Sequence, residues 1–153
     1  MDRSQRAQEI LKRSPIATLA TVADDGQPRS TPVTAAWDDN YNCYWTSFSD
    51  TEHSKNIRVN PSIFISLFDA QDELLKASGI YVKARAIELS EESEIDAAAT
   101  YVYSSKGKPV PSTNEFIGGS PKRIYKATPE RMWVSLREDF EIDPKTSRKE
   151  ITL

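Results

Sequence analysis

Hydrophobic and polar positions alternate along this chain in short runs. Ala7, Ile10 and Leu11 fall at i, i+3 and i+4, and Ser14-Pro15 follows, so the spacing predicts a short helix capped by Asp2 or Ser4. Ile16 to Val22 is rich in β-branched residues and reads as a strand. Asp24-Asp25-Gly26 predicts a hairpin turn. A second strand is expected from Pro28 to Trp37, a turn at Asp38-Asp39-Asn40, and a third strand from Tyr41 to Phe48. Ser49 and Glu52 have the spacing of a capping box, and Asn60-Pro61 ends the helix they open.

Ile63 to Phe68 is almost continuously apolar and predicts a buried strand. A polar loop, Asp69 to Ser78, leads to a strand from Ile80 to Leu89, where apolar residues alternate with Tyr81, Lys83 and Arg85. A helix from Ser90 to Tyr103 has Ile95, Ala98, Ala99 and Val102 as its buried stripe. A loop runs from Ser104 to Pro121. Strands at Arg123 to Thr128 and Met132 to Leu136 are expected to meet at a Pro129-Glu130 turn, with a loosely held charged tail from Glu138. About seven short strands, two or three helices and no alternating βαβ units favour a mainly β, α+β fold: an antiparallel sheet closed into a barrel, as one domain over 1–153.

Composition narrows the function. Charged residues make up 28% of 153 and the net charge is −3, so a general nucleic-acid binder or membrane-surface binder is not expected. One cysteine, Cys43, excludes an intrachain disulfide and fits a reducing, cytoplasmic setting. One histidine, His53, excludes a multi-histidine metal site. The N-terminus is polar, with no apolar signal-peptide core. Cys43 reads as an inert buried thiol, Trp37 and Trp133 as packing residues, and Lys106 and Lys108 as solvated loop charges.

No glycine-rich phosphate loop is present. The richest chemistry lies from Tyr44 to Arg58. A strand end bearing Thr46 and Ser47 meets a helix N-terminus, whose free N–H groups and dipole suit an anion. His53, Lys55 and Asn56 add donors within a turn. The same residues also fit a plain capped helix with His53 and Lys55 facing water. Pro32 interrupts the second strand, which reads either as backbone opened toward a ligand or as an edge strand or bulge.

Five segments, taken in order, resemble the pyridoxamine-phosphate-oxidase-like flavoproteins. They are Ile16 to Thr21, Asp25 to Pro28, Ser30-Thr31-Pro32-Val33, Trp45-Thr46-Ser47, and His53 to Arg58 with Asn60-Pro61. The resemblance covers about Ile16 to Leu136. It implies a split β-barrel and a homodimer holding FMN between its subunits, with a flavin-dependent oxidoreductase as the leading reading. Arg29, Ser30, Thr31, Pro32 and Val33 would lie along the flavin ring and ribityl chain. Trp45, Thr46, Ser47, His53, Lys55 and Asn56 would hold the phosphate, with His53 where many relatives carry Lys. Arg123 would stand in for the oxidase's substrate-binding Arg. Tyr125 stands where the oxidase has His, and Ile117 where it has Trp, so pyridoxamine phosphate is expected to be a poor substrate. An F420-dependent reductase and a non-enzymatic flavin- or haem-binding stress protein are the alternatives, His53 being the available imidazole for haem. No catalytic side chain is assigned, since a cofactor would carry the electron chemistry.

Overall fold

The computed structural model describes residues 2–69, 78–143, 145 and 147–153. Helix α1 (Arg3–Arg13) starts at a capping box between Asp2 and Gln5 and buries Ala7, Ile10 and Leu11. Strands β1 (Ile16–Val22) and β2 (Pro28–Thr34) pair antiparallel across the Asp24-Asp25-Gly26 turn, where Gly26 adopts φ 81°. The expected single strand from Pro28 to Trp37 is in fact two. It breaks at Ala35, whose N–H donates to the Pro15 carbonyl at 2.8 Å, and resumes as β3 (Ala36–Trp37).

That break shapes the molecule. β2 pairs with β1, whereas β3 pairs with β4 (Cys43–Phe48). The other strands are β5 (Ser62–Phe68), β6 (Gly79–Glu88), β7 (Lys122–Ser135) and β8 (Arg148–Ile151). The strand order is β2-β1-β5-β6-β7-β4-β3, with β8 added alongside β7. Two covalently adjacent strands thus lie at opposite ends of the order, and the partner change at Ala35 curls the sheet onto itself. The fold is an antiparallel split β-barrel with flanking helices.

Three expectations are corrected. β5 is not buried on both faces: Ile63, Ile65 and Leu67 point inward, while Phe64 and Ser66 are half-exposed and Phe68 is exposed. β7 runs straight through Pro129-Glu130. Lys83 faces Arg131 and Ala84 faces Pro129, so Glu130 is an extra residue in a bulge, a place that tolerates proline's missing N–H. The C-terminal segment is tied down. Helix α4 (Arg137–Ile142) places Asp139 in a two-point ion pair with Arg3 at 2.6 and 2.8 Å, and β8 buries Ile151. The Arg3 guanidinium holds the Asp139 carboxyl below its ordinary pKa. The expected polar loop after β5 lies largely outside the described residues, at 70–77.

Helix α3 (Glu92–Ser104) packs outside the barrel on the stripe read from sequence. It starts two residues later than expected, with Glu91 at the cap position and no side-chain capping bond. Its partners Leu89, Ile124 and the fully buried Phe116 form a second apolar cluster. Phe116 arrives on a 3-10 turn (Thr113–Phe116) inside the segment read as loop. Cys43 is buried, and burial pushes its thiol pKa up. Trp37 is buried and Trp133 half-buried against Phe64. Among the described residues no helix is long and apolar enough to cross a membrane.

Candidate functional site

Helix α2 (Glu52–Val59) follows β4 after a short turn. Its cap is Thr51, not Ser49. Thr51 has extended backbone angles, and its Oγ1 accepts the Ser54 N–H. Ser49 serves the connection instead. Its N–H donates to the Pro121 carbonyl at 2.9 Å, and its own carbonyl accepts from the Arg58 guanidinium. Helix geometry leaves the N–H groups of Glu52 and His53 without an intrahelical partner.

Around this helix start the structure gathers part of the predicted set. Ser47 Oγ lies 2.7 Å from His53 Nε2, and Thr51 Oγ1 lies 3.3 Å from the same nitrogen. Burial pushes the imidazole below its ordinary pKa of 6.5, and the Glu52 charge pulls it partly back. Arg29 reaches across from β2 and donates through Nε to Glu52 at 2.6 Å. Lys55 is exposed on the same helix. The site therefore offers a hydroxyl, an imidazole, the Arg29 guanidinium and a helix N-terminus, with Glu52 as an internal counter-charge.

Other predicted residues turn inward. Trp45 is fully buried, stacked on Tyr125 with ring centroids 5.5 Å apart. Asn56 is buried, and its amide donates to Thr21 Oγ1 at 3.0 Å, tying α2 to β1. Val33 lies in the barrel core. Along β2, Ser30 and Pro32 are exposed and Thr31 is half-exposed. Thr46 on β4 is half-exposed. β2 pairs with β1 and ends the strand order, so Pro32 sits in an edge strand. Arg123 is far from free. Its Nε donates to Glu88 at 3.0 Å, and its terminal nitrogens hold the carbonyls of Gly118 at 2.8 Å, Lys122 at 2.7 Å and Ser120. Tyr125 Oη donates to the same Glu88 at 3.2 Å.

Two participants were not read from sequence. Glu52 was counted only as a capping residue, and no local pattern links it to Arg29, which is 23 positions away. Thr51 competes with Ser49 for the cap, and only the tertiary contacts of Ser49 with Pro121 and Arg58 decide between them.

The pyridoxamine 5'-phosphate oxidase family model matches residues 4–135. No curated protein matches the chain. Several solved structures share the fold. A conserved hypothetical protein from Mycobacterium tuberculosis is 18% identical, with 90% of this chain and 86% of that one covered and a TM-score of 0.73. A heme binding protein from Mycobacterium smegmatis is 18% identical, with 88% of this chain but 54% of that one covered and a TM-score of 0.72. An F420 reductase is 19% identical, with 82% and 94% covered and a TM-score of 0.62.

Proposed function

Since this chain belongs to the pyridoxamine 5'-phosphate oxidase family, we propose that it is an FMN-binding flavoprotein with oxidoreductase activity. The observation that carries the proposal is the Ser47–His53 pair at 2.7 Å beside the N-terminus of α2, with Arg29 reaching Glu52 at the same helix start.

The donor set fits a phosphate monoester. Ser47 and the uncapped N–H groups of Glu52 and His53 donate hydrogen bonds, while Arg29 and Lys55 supply charge. Glu52 opposes an anion, so Arg29 must exchange Glu52 for the phosphate when the ligand arrives. His53 starts neutral, because burial disfavours its charged form. It helps by donating from Nε2, in the tautomer that places the proton there. Asn56 and Trp45 serve by fixing α2 and β4 in place. The exposed part of β2, from Arg29 to Pro32, gives the ring and ribityl chain an edge to lie along. When bound, FMN supplies the electron chemistry, and the protein supplies position and access.

A homodimer is part of the proposal. The outer face of β1, β5 and β7 carries Ile16, Phe64, Phe68 and Trp133. Ile16 is 53% and Phe68 66% exposed, and Phe64 stacks on Trp133. A second copy of the chain would bury this face. The locked guanidinium of Arg123 and the buried ring of Tyr125 support the expectation that pyridoxamine phosphate is a poor substrate.

The test is the absorbance spectrum of protein purified from cells, then reconstituted with FMN and run through light scattering. Flavin bands that co-migrate with a dimer support the proposal. A Soret band, or a chain that retains F420 and rejects FMN, overturns it.

A further inference from the structure

A pocket of about 420 Å³ lies where the last turn of α1, the break between β2 and β3, and the C-terminal end of α3 meet. Its walls include Leu11, Pro15 and Ala36, so much of the lining is apolar. Lys12, Lys106 and the hydroxyl residues Thr34, Thr100, Ser104 and Ser105 break that pattern. Trp37 lines the pocket and is only 8% exposed, so its ring extends the apolar wall. Lys106 also lines the pocket. It is half-buried rather than fully solvated, with its ammonium 5.5 Å from the centre of the Tyr103 ring and no carboxylate partner among the described residues. Burial, then Lys108, lowers its pKa. Lys12 lies on the same wall, loosely paired with exposed Asp39 at 3.5 Å.

We infer that this pocket binds a flat aromatic carboxylate of one or two rings. The apolar wall, with the Trp37 ring, takes the ring system, and Lys106 and Lys12 hold the carboxylate. The size suits such a molecule, since small-ligand pockets start at roughly 300 Å³. The inference stands apart from the flavin reading, because no residue assigned to the phosphate lines this pocket.

The probe is 1-naphthoate, with uncharged 1-naphthamide as its control. Binding is followed by the indole N–H resonance of Trp37 in ¹⁵N-labelled protein, assigned by its loss in Trp37→Phe. Naphthoate should shift that resonance saturably, with a Kd of about 1 mM or tighter. Lys106→Met should weaken naphthoate about tenfold and leave naphthamide unchanged. Thr100→Phe, an exposed position on the pocket wall, should block both probes while the remaining spectrum keeps its dispersion. FMN should leave the naphthoate affinity unchanged. The inference is overturned if naphthoate gives no saturable shift, if Lys106→Met weakens both probes alike or neither, or if FMN displaces naphthoate.

Discussion

The barrel interior and the rim at α2 are built from the same rows of residues. On β2, Arg29, Thr31 and Val33 share one face by their period of two, and they pass from exposed through half-exposed to buried. On β4, Cys43, Trp45 and Ser47 do the reverse: two buried side chains, then a half-exposed hydroxyl bonded to His53. On α2, His53 is half-buried at the start while Asn56 and Ile57 are buried one turn on. The face a side chain takes is thus common to both regions. Depth along the element decides whether a residue stabilises the fold or meets a ligand. Interior substitutions should therefore cost stability and leave ligand choice alone, while rim substitutions should do the opposite.

The sharpest separation comes from Trp45→Ala. Removing a fully buried indole stacked on Tyr125 should destabilise the fold by about 3–5 kcal/mol. Chemical denaturation measures this, and any loss of FMN should be matched by riboflavin. A stable Trp45→Ala protein with a selective loss of FMN would place Trp45 at the site after all. Asn56→Ala comes next. It leaves Thr21 Oγ1 without its donor and should cost about 1–3 kcal/mol, with the ratio of FMN to riboflavin affinity unchanged.

His53 straddles the two regions, and its effect on the ligand-free protein is the smallest. Its folded pKa lies below its ordinary 6.5 because of burial. Between those two values the unfolded chain binds more protons than the native one, so stability rises with pH there. Melting temperature should fall as the pH drops from about 6.5 toward the folded pKa, a window in which no other side chain ordinarily titrates. His53→Gln should flatten that slope. An unchanged slope in the variant would show that the imidazole is not desolvated.

Much of the fold was legible because it rests on local chemistry. The Asp2 cap, the Asp-Gly turn and the stripe Ile95, Ala98, Ala99 and Val102 each depend on residues within a few positions of one another. What escaped depends on distant partners. Nothing near Ala35 reveals that Pro15 will take its N–H, so the strand break that curls the barrel reads as continuous strand. Pro129-Glu130 resembles a turn until Ala84 and Lys83 pair across it. The tail looks unattached until Arg3 finds Asp139. The candidate site was read as one set for the same reason: spacing distinguishes faces, and it does not separate Asn56, held by Thr21, from His53 at the rim.

The most direct test of the phosphate site titrates FMN and riboflavin against wild type, Lys55→Ala and His53→Ala. Hydrogen bonds to a charged group contribute roughly 1.5–3 kcal/mol each, so either variant should bind FMN about tenfold to a hundredfold more weakly. Riboflavin lacks the phosphate and should bind all three proteins alike. Equal losses for both ligands, or no loss for either, would contradict a phosphate site at the start of α2.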